Sequence, residues 1–139
     1  DTVQEAPWHS INRPHRALSL ATVLQGIRDF AIDYPGTLIS DTMLLDGVND
    51  AASSLEATAG FLATLPLATA YVAVPTRPTT VAGTRGTGPA GLLRAHQIFA
   101  ARLPRVELLT GHEDMRAELV GDLANGVVRI DVAANGEVP

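Results

Sequence analysis

The sequence predicts an α/β fold built from consecutive βαβ units of a parallel sheet. Three short, β-prone apolar segments alternate with two segments that have helical periodicity, and the connections between them are short. That order is typical of right-handed βαβ units within one sheet. An apolar fraction of 46% in 139 residues is also sufficient for a folded core and too high for disorder.

The part of the chain before the sheet is predicted to hold a loop and then a helix. Residues 1–17 are rich in Pro, Asn, Arg and His and show no clean period, so we expect mostly loop with one short turn. Ser19 is a suitable N-cap, and Pro35-Gly36 should end the helix that follows. Its buried stripe is expected at i, i+3, i+4 and i+7, which places Leu20, Val23, Leu24, Ile27, Phe30 and Ala31 on one face.

The first strand and the next helix are predicted between residues 37 and 65. Residues 37–45 are apolar on both faces and β-prone, and Asp46-Gly47 should end that strand. Asn49 or Asp50 could cap the next helix, unless it starts later with the capping-box spacing of residues 53–56. The buried positions of this helix are expected at Leu55, Ala59, Phe61, Leu62 and Leu65.

A second strand is predicted at residues 69–74, followed by an extended segment and a loop. Pro75 and Pro78 each restrain the preceding residue to an extended conformation. The Gly/Thr-rich residues 79–88 come next, and glycines before a helix can present N–H groups to a phosphate. The spacing fits neither the P-loop nor the dinucleotide motif, so a mobile surface loop is the favoured interpretation.

The last helix and strand of the sheet are predicted at residues 89–109. Pro89 suits the first helical position, and Val106 begins a third strand. Beyond Gly111 the pattern is less regular: residues 127–132 fit either a strand after an Asn125-Gly126 turn or a helix. The buried stripe of the helix is expected at Leu92, Leu93, Ile98 and Phe99.

Composition excludes several classes of function. The net charge is −5 and the ten basic residues are scattered, so there is no patch for nucleic acid. The chain has no Cys, which excludes disulfides, thiolate metal sites and an iron–sulfur cluster ligated from within it. The longest apolar run is interrupted and too short to span a bilayer, and no signal-peptide pattern is present, so we expect a cytoplasmic location.

Candidate functional residues follow the strands, because ligands of parallel α/β folds gather at the carboxyl ends of the strands. These positions are residues 41–49 and 75–77, and Asp1 could join them. The alternative is structural: a turn, a helix cap and a solvated Arg77. The four histidines lack the spacing of a metal motif, and no serine has a nucleophile-elbow context.

Four segments carry a resemblance to a known family: INRPH from Ile11, DTMLLDGVND from Asp41, YVAVPTRP from Tyr71 and VELLTGHE from Val106. In this order and spacing, the chain resembles a group of radical S-adenosylmethionine proteins. The resemblance implies the second half of a partial, TIM-like (β/α)6 barrel over residues 1–113, with residues 114–139 as a C-terminal connector or tail. The CxxxCxxC loop of that family would precede residue 1.

The resemblance also implies S-adenosylmethionine and a [4Fe–4S] cluster as cofactors, whose chemistry is reductive cleavage to a 5′-deoxyadenosyl radical. Asp41, Thr42, Thr76 and Arg77 match strand positions that line the nucleoside and substrate side of the pocket. Asp1 resembles the acid of a Ser-x-Asp strand and would contact the ribose or carboxylate. The cluster ligands are absent from this chain.

We therefore expect a fragment or truncated member of a radical S-adenosylmethionine enzyme, inactive alone. The alternative is a non-catalytic α/β binding or interaction module that acts as a homodimer or with a partner chain. A half-barrel exposes an edge strand, so a missing N-terminal half-barrel or self-association is expected. A third interpretation is an unrelated enzyme that uses Asp41 with Asp46 or Asp50 as acid and base.

Overall fold

The computed structural model describes residues 1–77 and 81–109, and the backbone of residues 117–120 and 129–132. It confirms the α/β prediction: β1, β2 and β3 form a three-stranded parallel sheet in that order, and β4 and β5 form a separate antiparallel pair. The elements are α1 (Glu5–Asn12), α2 (Leu20–Asp33), β1 (Leu38–Met43), α3 (Ala52–Leu62), β2 (Leu67–Ala73), α4 (Pro89–Ala100), β3 (Val106–Leu109), β4 (Ala117–Val120) and β5 (Arg129–Val132).

Two helices begin where the sequence predicts. The Ser19 hydroxyl accepts a hydrogen bond from the Thr22 N–H at 3.2 Å, which satisfies one of the free donors at the start of α2. Pro89 is the first residue of α4, where its missing N–H costs nothing. The strand alternative for the tail is also confirmed in part by β5, while Asn125-Gly126 lies outside the described residues.

The prediction of loop for residues 1–17 is wrong at α1. Pro7 sits in the first turn of this helix, where its lack of an N–H breaks no intrahelical bond. The Trp8 N–H donates to the Gln4 carbonyl at 3.0 Å, and the Trp8 side chain is buried. Burial of one large aromatic side chain therefore stabilises a short helix that lacks strong periodicity.

The two faces of the parallel sheet differ. Side chains alternate along a strand, and the face that carries Val72 packs on α3 and α4. On the opposite face, Asp41 is in register with Tyr71, which is in register with Glu107. Together with Val72, the buried residues of this hydrophobic core are Leu44, Leu55, Ala59, Leu62, Ala70, Leu92, Ala95, Phe99 and Leu103.

Some predicted buried positions are exposed instead. Ile27 and Phe30 of α2 are 41% and 58% exposed, although Leu20 and Ala31 of the same stripe are buried. Leu93 of α4 is 51% exposed. Periodicity identifies a possible apolar face, but only a neighbouring element can cover it. No helix in the described part of the chain is long and apolar enough to cross a membrane.

Candidate functional site

A groove of about 510 Å³ lies at the carboxyl ends of β1 and β2. This is the edge at which parallel α/β sheets bind ligands, and the volume suits a small molecule. One wall comes from α1 and its C-cap, and the others come from the segments that follow β1 and β2. The lining residues are Ser10, Ile11, Arg13, Met43, Leu45, Val48, Pro75, Thr76, Arg77, Val81 and Thr84.

The structure divides the five predicted site residues between two places. Thr76 and Arg77 line the groove at the carboxyl edge. Asp1, Asp41 and Thr42 line a second groove of about 360 Å³, and residues of α2 and α3 also line it. Their assignment as cofactor contacts stays a prediction.

Asp1 is joined to the end of β1. One carboxylate oxygen accepts a hydrogen bond from the Met43 N–H at 3.0 Å, and the main-chain carbonyl accepts one from the Asn49 amide at 2.9 Å. Asp1 therefore lies beside the carboxyl end of β1, and it lines the second groove together with Asp41.

Asn49 is a buried hydrogen-bonding centre that the sequence interpretation missed. It was expected as a helix cap, but Ala51 is the N-cap of α3 and no side chain caps that helix. The Asn49 carbonyl oxygen accepts from the Leu45 N–H at 2.8 Å, and its amide donates to the Met43 carbonyl at 2.9 Å. With only 1% of its surface exposed, Asn49 satisfies the main-chain groups that β1 leaves unpaired at its end.

Asp50 also has a structural role, and its side chain does not cap α3. Its carboxylate accepts from the Gly47 N–H at 3.0 Å and from the Thr87 hydroxyl at 2.7 Å. Gly47 has a φ of 68°, a left-handed conformation that favours glycine, which explains the Asp46-Gly47 turn. The Asp50–Thr87 bond joins the end of β1 to the residues before α4.

The loop before α4 is attached to the groove, so its interpretation as a mobile surface loop is wrong for residues 85–87. Arg85 forms an ion pair with Asp46 at 2.8 Å, and the Asp46 N–H donates to the Arg85 carbonyl at 2.9 Å. The Thr87 N–H donates to the Leu44 carbonyl at 3.2 Å. These bonds hold the loop against the segment that follows β1.

Three groove residues, Ser10, Ile11 and Arg13, were missed because α1 was predicted to be loop. The spacing of three between Trp8 and Ile11 was the available helical signal. It is weak because a single pair also occurs by chance in irregular segments.

The acid–base and metal alternatives receive no support from the arrangement. Asp46 is paired with Arg85 and Asp50 with Thr87, while Asp41 lines the other groove. In the described ranges, no group of three or more His, Cys, Asp or Glu residues could hold a metal ion.

No family model matches the chain. It is 40% identical to a UPF0026 protein of Methanocaldococcus jannaschii over 78 residues. The matched segment covers 56% of this chain and 24% of that protein. It is 28% identical over 78 residues to a UPF0026 protein of Helicobacter pylori, again 56% of this chain and 25% of the relative. The chain thus spans about a quarter of the length of the curated relatives it matches.

Two solved structures share the fold. A radical SAM methyltransferase from Sphaerobacter thermophilus superposes with a TM-score of 0.65 at 20% identity, over 80% of this chain and 32% of that one. A domain of pyruvate-formate lyase-activating enzyme from Bacteroides vulgatus superposes with a TM-score of 0.60 at 16% identity, over 78% and 63% of the two chains. The α/β arrangement of this chain is therefore that of a segment of these proteins.

Proposed function

We propose that this chain is part of a radical S-adenosylmethionine enzyme and forms the nucleoside and substrate side of its pocket. The observation that carries the proposal is the groove at the carboxyl ends of β1 and β2, in a fold shared with a radical SAM methyltransferase and with a domain of a pyruvate-formate lyase-activating enzyme. Thr76 and Arg77, which line this groove, stand in a segment that also carries the sequence resemblance.

The residues present do not fit the iron–sulfur cluster. The chain has no Cys, so no thiolate is available to bind iron. On this proposal, cluster ligands come from a part of the enzyme outside these 139 residues. No step of the chemistry that needs the cluster is assigned to residues of this chain.

The charges of the two grooves suit different molecules. S-adenosylmethionine carries a positive sulfonium and a positive ammonium group, which the carboxylates of Asp1 and Asp41 would stabilise in the second groove. Asp1 keeps one carboxylate oxygen available there, because its only described partner is the Asn12 amide at 3.5 Å. Arg13 and Arg77 would repel these two positive groups and could pair only with the carboxylate of S-adenosylmethionine, so we assign the first groove to substrate.

The open edge of the sheet fits the same proposal. β1 pairs only with β2 among the described strands, and Ile39 of β1 is 59% exposed. A strand from the remainder of a longer protein would pair with this edge and form a further wall of the second groove, which residues 38–42 of β1 line. This is the role that we propose for the missing half-barrel.

The first test is to read the DNA that encodes the residues before Asp1. The proposal expects the open reading frame to continue upstream into a CxxxCxxC segment, and a frame that continues without one would contradict it. The second test is to purify the complete protein without oxygen, reconstitute its cluster and measure 5′-deoxyadenosine after addition of S-adenosylmethionine and a reductant. We expect release of 5′-deoxyadenosine, and its absence from a reconstituted protein would also count against the proposal.

The exposed face of the sheet also favours one alternative, a binding module that pairs with a second copy. Sedimentation equilibrium of the 139-residue chain distinguishes the two. A dimer that Ile39→Asp converts to a monomer, together with an upstream frame that lacks the cysteines, would establish the alternative. If the complete protein is a monomer, a dimer of the chain alone reflects only the uncovered edge.

A further inference from the structure

We propose that the groove at the carboxyl edge binds an organic anion, and that Arg13 and Arg77 hold its charged group. The ligand class is a phosphate or carboxylate attached to an apolar body. This inference deepens the proposed function, since it names the substrate class of the groove assigned to substrate above.

The first observation is the charge of the groove lining. Arg13 and Arg77 both line it, and none of the described lining residues is Asp or Glu. The chain as a whole has a net charge of −5. A groove with two cationic side chains and no described acid favours anions over cations.

The second observation is that neither arginine has a partner within the described part of the chain. Among the described residues, neither guanidinium makes a hydrogen bond, an ion pair or a ring contact. Four other arginines are engaged: Arg85 with Asp46 at 2.8 Å, Arg105 with Glu107 at 2.5 Å, Arg94 with the Asp50 carbonyl at 3.0 Å and Arg28 over the Phe61 ring at 4.9 Å. The guanidinium groups that face the groove are therefore available for the bidentate bonds that phosphate and carboxylate accept.

The third observation is the backbone of Arg13. This residue caps the end of α1 with a φ of 44° and a ψ of 56°, and it is the only non-glycine residue with positive φ in the described ranges. Gly or Asn usually occupies this left-handed position, because a larger side chain is strained there. Glycine would be less strained at this helix end, so we attribute the presence of an arginine to the function of its side chain.

The body of the ligand follows from the other walls. Ile11, Met43, Leu45, Val48 and Pro75 are apolar, whereas Ser10, Thr76 and Thr84 carry hydroxyls. A volume of about 510 Å³ accommodates a molecule larger than inorganic phosphate. The groove thus offers an apolar floor for the body and a cationic end for the head group.

The test uses the 139-residue chain and a methyl NMR signal from Met43, which lines the groove. Phenyl phosphate and benzoate are titrated as the two anionic probes, with benzyl alcohol as the neutral and benzylamine as the cationic control. We expect the anions to shift the Met43 signal at the lowest concentrations. The proposal is supported whether phenyl phosphate or benzoate binds more tightly, and the tighter of the two identifies the preferred head group.

Substitutions assign the effect to the two arginines. Arg13→Gln and Arg77→Gln should each weaken phenyl phosphate binding about tenfold, as expected for one charge-assisted contact. Arg102→Gln is the matched control, since Arg102 is exposed and does not line the groove. Added salt should weaken binding to the unsubstituted chain.

Two results would overturn the inference: benzyl alcohol that binds as tightly as phenyl phosphate, or an equal loss of affinity in Arg102→Gln. An absence of any shift with both anions in the folded chain, checked by the dispersion of its NMR spectrum, would overturn it as well. None of these results bears on whether CxxxCxxC stands upstream, so this inference and the proposed function can fail separately.

Discussion

Replacement of Gly91 by alanine should destabilise the chain, although Gly91 lies in a helix, where alanine is normally favoured. A Cβ atom built on Gly91 would lie 1.9 Å from the Thr87 hydroxyl oxygen and 3.1 Å from its Cβ. Thr87 would have to move, and its hydroxyl would leave the Asp50 carboxylate, to which it donates at 2.7 Å. The substitution therefore removes a buried bond that holds the loop before α4.

The magnitude follows from two opposing terms. Loss of a hydrogen bond to a charged group costs about 1.5 to 3 kcal/mol. Replacement of glycine by alanine within a helix contributes about 1 kcal/mol in the opposite direction. We expect Gly91→Ala to lower the free energy of unfolding by about 0.5 to 2 kcal/mol, which is the difference between these two terms.

The assay is urea unfolding, followed by the fluorescence of the single Trp8 and by circular dichroism. Gly60→Ala in α3 is the matched control, because nothing lies within 4 Å of its added Cβ, and it should stabilise the chain. In a Thr87→Ala background, Gly91→Ala should lose most of its cost, since the hydroxyl that it displaces is gone. Equal stability of Gly91→Ala and Gly60→Ala would refute the reasoning.

Three further predictions concern stability and use the same unfolding assay. Asn49→Ala should cost about 3 kcal/mol by leaving buried main-chain groups of β1 unpaired, whereas Asn12→Ala, which loses one exposed bond of 3.5 Å, should change little. Leu92→Ala should cost about 2 to 5 kcal/mol through the cavity it leaves, while the half-exposed Leu93→Ala should cost well under half as much. Ser19→Ala should cost about 1 kcal/mol and increase amide exchange in the first turn of α2. Equal losses within either pair, or unchanged exchange in α2, would contradict these predictions.

Local signals were sufficient for most elements of the sheet. The third strand begins and ends where the sequence indicates, at Val106 and Leu109, and Ser19 and Pro89 mark helix starts by chemistry that acts within one turn. The error at α1 has a different origin, because Trp8 stabilises that helix by burial. Burial depends on tertiary packing, which a pattern of neighbouring residues does not record.

The candidate site was predictable in position but not in composition. Strand order places residues 41–49 and 75–77 at one edge of the sheet, and that edge carries the groove. The separation of Asp41 and Thr42 from Thr76 and Arg77 depends on strand register, because Asp41 and Thr42 lie within β1 and pair with Tyr71 and Val72, whereas Thr76 and Arg77 follow the end of β2. The contribution of Arg13 depended on α1 and was missed for that reason.

The sequence by itself determined the α/β class, the order of the strands and helices, the absence of cysteine ligands and the edge at which a ligand could bind. Periodicity and capping depend on residues that are close in sequence, and composition does not depend on the order of residues. Tertiary structure decided the roles of Asp1, Asn49, Asp50 and Thr87. Their bonds join residues 42, 48 and 37 positions apart, and contacts at such distances form only when the sheet brings its strand ends together.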